Sequence, residues 1–197
     1  MNKRTNDNLK KLGLIAFSLM IGLFSFAQVK YSSKSLALTV SGTSTLHDWD
    51  MKSAVGTFEA NFTLNAAGAI TAVNGLSFST KADALKSGHD AMDKNAYKAL
   101  KSDKAPVISY TSNTATVTNL DATDYSVKST GKLTIAGTTL DAEIVATCKV
   151  NADKSITVMG SKKISMKEFG MAPPTFMMGT IKTGNDVTLK FDLKLNK

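Results

Sequence analysis

Along most of the chain, apolar and polar residues alternate with period two, the signature of strands that bury one face. Leu36, Leu38 and Val40 alternate with smaller or polar residues, and Phe58, Ala60, Phe62 and Leu64 do the same. Leu76, Phe78 and Thr80 share one face of a candidate strand over 70–80. Val107–Tyr110, Ala115–Leu120 and Tyr125–Ser129 read as three short strands. Leu133–Ile135 leads through Gly137 into a longer strand over Leu140–Val150, and Ile156–Ile164 and Val187–Leu195 complete the set. Turn chemistry separates them at Asn65-Ala66-Ala67-Gly68, Asn74-Gly75, Gly131, Asn151-Ala152-Asp153 and Gly184-Asn185-Asp186.

One segment breaks the rhythm. Between Gly88 and Lys101 the apolar residues Met92, Ala96, Tyr97 and Leu100 fall at helical spacing, which predicts one short helix near 88–101. Ser87 is the expected N-cap and Asp90 lies in the first turn, where the helix dipole favours an acid. No repeat and no Pro- or Ser-rich linker divides the chain. About eight strands in one domain predict an all-β fold, either an antiparallel barrel or a sandwich. A barrel of about eight strands can enclose one small apolar ligand, so closure bears directly on function.

The start of the chain has a different character. Lys3, Arg4, Lys10 and Lys11 precede an uncharged apolar run from Leu12 to Ala27, with small residues at Ser25 and Ala27. That pattern predicts a secretory signal peptide over 1–27, cut after Ala27, and a periplasmic or secreted barrel domain over 28–197. The run is 16 residues, shorter than the roughly 20 that a membrane-spanning helix needs. Removing the leader lowers the formal charge from +8 to +5, with 20 cations that are all Lys against 15 acids. Without the planar Arg fork for bases and phosphates, nucleic acid is not an expected partner.

The chemistry-bearing residues are few. Cys148 is the single cysteine and alternates with Ala146 and Val150, so it reads as a buried, inert thiol. No nucleophile elbow, His-Glu-x-x-His or phosphate-cradling Gly-rich loop is present, so neither enzyme activity nor a cofactor is expected. His47 and His89, with one or two carboxylates, would suffice for a catalytic-type zinc site. Their separation of 42 residues matches no ligand motif, and no metal is expected. The plainer reading of His47-Asp48-Trp49 is a strand-end turn, with Trp49 plugging a barrel end beside a hydrogen-bonded His.

Four blocks together resemble the YceI-like family of exported lipid-binding proteins. They are Ser41-Gly42-Thr43-Ser44-Thr45-Leu46-His47-Asp48-Trp49; Leu85-Lys86-Ser87-Gly88-His89-Asp90-Ala91-Met92-Asp93 with its continuation to Ile108; Gly131-Lys132-Leu133-Thr134-Ile135-Ala136-Gly137; and the stretch from Ile164 through Glu168-Phe169-Gly170-Met171 to Thr180. The blocks occur in the family's order, in a form similar to Bacteroidetes-type members. The resemblance implies an eight-stranded antiparallel, lipocalin-like barrel whose interior holds a long isoprenoid or other amphiphilic chain. The sequence departs from better-known members at Lys167, where they carry Arg, and in the His47-Asp48-Trp49 form of the opening.

On that reading the ligand is a hydrophobic or amphiphilic small molecule, polyisoprenoid or quinone-like. Transient membrane contact would serve loading, and monomer and dimer both stay open. Five of the seven methionines after Ala27 lie between Met159 and Met178, and Met side chains suit surfaces that adapt to apolar ligands. An apolar core has the same composition as an apolar tunnel, so packing between sheets remains the competing reading. The candidate head-group residues at the mouth are His47, Asp48, Lys86 and His89, beside Trp49. The candidate lining comprises Phe58, Phe62 and Phe78 from strands; Met92, Tyr97 and Leu100 from the helix; and Met166, Phe169, Met171, Phe176, Met177 and Met178. The alternative function is a secreted β-sandwich, a structural or adhesion module with a filled core.

Overall fold

The computed structural model describes residues 27–197, in which one antiparallel sheet curls until its first and last long strands meet. The elements in chain order are β1 (Ala27–Ser44), β2 (Trp49–Ser53), β3 (Thr57–Leu64), β4 (Ile70–Lys81), α1 (Asp90–Ala99), β5 (Val107–Asn119), β6 (Asp124–Ile135), β7 (Thr138–Val150), β8 (Ile156–Ser165), β9 (Thr175–Phe176) and β10 (Ile181–Asn196). Neighbours run β1-β3-β4-β5-β6-β7-β8-β10, and β10 pairs back onto β1 from Ser32↔Asn196 to Ser44↔Thr183. The wall is therefore a closed eight-stranded barrel, and the sandwich arrangement does not occur. Closure satisfies the backbone groups that a sheet edge would leave exposed.

β2 and β3 share one position in the wall. The first part of β1, Ala27–Ser32, pairs with β3, and Leu38–Gly42 pairs with β2. β2 begins at the end of the expected His47-Asp48-Trp49 turn and runs where no strand was expected, because Met51 and Ser53 are buried while Asp50 and Lys52 face out over just five residues. The short strands expected on either side of residues 111–114 are one strand, β5, carrying a bulge between Thr111 and Ala115. The bulge absorbs the extra polar residues without ending the strand. There the buried Ser112 hydroxyl lies 2.9 Å from the carbonyls of Thr130 and Thr114.

Gly131 is likewise not a turn but the interior of β6. A Cβ at Gly131 would collide with the Thr111 carbonyl, so the bulge and the glycine fit one another. The helix spans Asp90–Ala99 and starts from His89, not Ser87. The Ser87 hydroxyl instead donates to Asp93 Oδ1 at 2.7 Å and accepts from the His89 N–H at 3.2 Å. The expected leader over 1–27 lies, but for Ala27, outside the described residues.

Strand directions give the barrel two unlike ends. Three tight connections, 65–69, 120–123 and 151–155, sit at the end where β1 begins. Tyr31, Phe62, Val73, Ile156 and Leu195 fill that end and are almost wholly buried. The Tyr31 and Phe62 rings meet edge-on with centroids 5.3 Å apart, and the Tyr31 hydroxyl donates to the Lys154 carbonyl at 3.3 Å. The opposite end carries the 45–48 loop, α1, β9 and the long connections. A second apolar cluster, including Tyr110, Leu133, Ile164, Met166, Phe169 and Met171, lies toward it.

Candidate functional site: an apolar cavity inside the barrel

Inward-facing residues of all the long strands surround a cavity of about 600 Å³. Its walls include Leu38 and Val40 of β1, Leu76 and Phe78 of β4, Val127 and Leu133 of β6, Ala146 and Cys148 of β7, and Leu189 and Leu193 of β10. Period-two alternation aims these side chains inward, while the Lys and Asp residues between them face solvent. The cavity bottoms out on Phe62, Cys148 and Val158, just above the solid packing of Tyr31 and Ile156. At the other end it reaches the surface between the 45–48 loop, α1 and the Phe176–Met177 turn. A volume of this size falls in the usual range of small-molecule sites.

The expected site residues divide cleanly. His47, Trp49, Phe58, Phe62, Phe78, His89, Met92, Leu100, Met166, Met171, Phe176 and Met177 line the cavity. Asp48, Lys86, Tyr97, Phe169 and Met178 do not. Phe169 is buried in the cluster around Met166 and Met171, just behind the lining. Asp48 faces solvent and contributes only its carbonyl, which lies 2.6 Å from His47 Nδ1. A carbonyl can only accept, so that ring nitrogen carries the proton, and in the neutral ring Nε2 is left with the lone pair. His47 and His89 both sit at the mouth, yet no group of three His, Cys, Asp or Glu able to hold a metal occurs among the described residues.

Lys86 and Tyr97 satisfy one another outside the barrel. The Lys86 ammonium donates to Tyr97 Oη at 2.6 Å and lies 5.0 Å from the ring centroid. The hydrogen bond to Tyr97 is the main reason that the Lys86 pKa is raised. Tyr97 donates in turn toward the Leu85 carbonyl at 2.8 Å or the Asp83 carbonyl at 3.0 Å. Together with the Lys52↔Lys86 bridge, this clamps the start of the helical segment onto β2. Burial pushes the Asp93 carboxyl up, but Ser87 hydrogen bonds and the Lys86 charge outweigh it and hold the pKa below the ordinary value.

Sequence reasoning missed several lining residues. Met51 comes from β2, and Tyr110 and Ser129 place two hydroxyls 2.9 Å apart in the cavity wall. Ser129 was detectable: it is the polar residue on the face that also carries Val127, Leu133 and Ile135. Trp49 closes part of the mouth by lying across Gly42, where a Cβ would strike the indole ring, and its Nε1–H donates to the Thr43 carbonyl at 3.0 Å.

The barrel matches known folds. A crystal structure of BcnA from Burkholderia cenocepacia superposes with a TM-score of 0.59 at 18% identity, covering 80% of this chain and 95% of that one. A polyisoprenoid binding domain from Saccharophagus degradans, implicated in plant cell wall breakdown, superposes with a TM-score of 0.60 at 13% identity, covering 87% of this chain and 99% of that one. No curated protein matches the chain by sequence. The YceI-like domain family matches it over residues 25–195, nearly its whole length, and the chain belongs to that family.

Proposed function

We propose that this protein is an exported carrier that sequesters a long-chain amphiphile, isoprenoid-like, in the interior of its barrel. The observation that carries the reading is the apolar cavity of about 600 Å³ inside the barrel. Burial of methylenes drives such binding at about 0.8 kcal/mol each, so ten of them supply about 8 kcal/mol against the entropy cost of association. The polyisoprenoid binding domain with the same fold supports the ligand class. Export rests on the basic start and the apolar run from Leu12 to Ala27. His47 and His89 both line the cavity at its mouth, which supports them as the residues that meet a polar head.

Native mass spectrometry of protein purified from its own host, followed by organic extraction, tests the proposal. The expected result is a co-purified lipid that Ala146→Phe, which fills the cavity from β7, no longer retains while the fold persists. Protein free of lipid, together with no thermal shift from any prenyl or acyl probe, would sink it.

A further inference from the structure

The rim of the mouth is apolar and uncovered. Leu46, Met177 and Met178 are 66%, 74% and 109% exposed, whereas Met166 and Met171 further in are each 6% exposed. Two hydrogen bonds join the rim segments: the Thr45 N–H donates to the Lys182 carbonyl at 3.0 Å, and the Lys182 N–H donates to Thr45 Oγ1 at 3.2 Å. The Thr180 N–H caps the adjoining turn on the Met177 carbonyl at 3.2 Å. In that turn Met177, Met178 and Gly179 have φ of 49°, 57° and 88°, left-handed backbone that residues with a Cβ normally avoid. The turn thus holds Met178 out into solvent, while Leu46 and Met177 are at once rim and cavity lining.

We infer that this rim is a lipid-bilayer docking surface through which the barrel exchanges its cargo with membranes. The inference rests on the lipid-binding reading and names the phase from which the ligand is drawn. Leu46 and Met177 carry the exposed apolar rim into the apolar cavity, which shortens the stretch of water that a hydrocarbon chain crosses between bilayer and barrel. A second protein copy is the poorer occupant. A stable protein interface uses roughly 20–30 residues a side, and a cover over this rim would also seal the mouth. The nearest charged residues along the chain, Asp48 and Lys182, are opposite in sign, so the contact is driven by apolar insertion and depends only weakly on anionic lipid.

Transfer of a fluorescent long-chain fatty acid between phosphatidylcholine vesicles and the full protein tests this. Met178 is the informative position, because it lies outside the cavity lining. The expected wild-type transfer rate rises with vesicle concentration. Met178→Asp should slow it roughly ten-fold with the equilibrium affinity unchanged. Met178→Trp should speed it, and the added indole should shift its emission to the blue when vesicles are present. A rate independent of vesicle concentration, an unaffected Met178→Asp variant, or sedimentation showing a dimer that buries the rim would overturn the inference. If no variant takes up the probe, the carrier reading fails, and the Met178→Trp blue shift still decides whether the rim docks.

Discussion

The hydroxyls of Tyr110 and Ser129 lie 2.9 Å apart on adjacent strands, in a cavity wall built mostly from apolar side chains. Tyr110 also reaches the Ala142 carbonyl on β7, at 3.5 Å, a distance that contributes little. The two residues are 4% and 3% exposed, so each depends on the other for satisfaction. Tyr110→Phe leaves the Ser129 hydroxyl buried without its partner and should cost about 1–2 kcal/mol in urea unfolding. The double variant Tyr110→Phe/Ser129→Ala should cost less than the two single changes together. In the proposed carrier the same pair would offer a bound chain an oxygen-recognising point. Tyr110→Phe should weaken binding of a probe with a carbonyl near its chain centre and leave an all-hydrocarbon probe unaffected.

The link from Ser87 to Asp93 makes stability depend on acid. Asp93 accepts from the Ser87 hydroxyl at 2.7 Å and from its N–H at 2.8 Å, which stabilises the ionised carboxylate. Because the folded pKa is lowered, this contribution is complete above the unfolded carboxylate value and disappears as pH falls below about 4. Asp93→Asn should therefore cost roughly 1 kcal/mol at pH 7. The gap to wild type should close in acid. Thermal melts at several pH values measure both, and a gap that does not shrink as pH falls below about 4 would remove the carboxylate from the account.

These two relationships mark how far the sequence was legible. Alternation located the long strands because each buries one face, and the helix appeared because Met92, Ala96 and Leu100 share a stripe. The bulge was hidden, since Thr111–Thr114 reads as a polar break until Gly131 on the neighbouring strand is seen to make room for it. The methionines show the limit for the site. Met166 and Met171 are buried in the wall, Met177 is on the rim and Met178 faces water, yet the residue type is the same and nothing in it separates wall from rim. Lys86 left the head-group set and Tyr97 the lining because each found the other, a tertiary contact with no period in the sequence.

Cys148 lies in the deep wall of the cavity, where burial pushes its thiol up to about 12. Against an ordinary value near 8.5, the thiolate population at neutral pH falls about a thousand-fold or more. Iodoacetamide should leave the folded protein unmodified over hours and label it within minutes in denaturant. Rapid labelling of the folded state would mean that water enters the deep end of the cavity.

Trp49 and Gly42 face one another across the β1–β2 pair, and the space a Cβ would take at Gly42 is filled by the indole. The ring can lie flat over the strand only because residue 42 has no side chain. Gly42→Val must either push the ring away from the wall or strain both strands, at about 1–3 kcal/mol. Trp49 is the only tryptophan, so its displacement can be read directly as a red shift of the protein's emission. The Nε1–H bond to the Thr43 carbonyl would break in the same movement. If the clash with the ring is the whole cause, Gly42→Val should be nearly free in a Trp49→Ala background, and a double-mutant cycle gives the coupling. A Gly42→Val variant equally destabilised in both backgrounds would assign the glycine to the strand backbone alone. Trp49 would then be a lid resting on the mouth without being seated there by its neighbour.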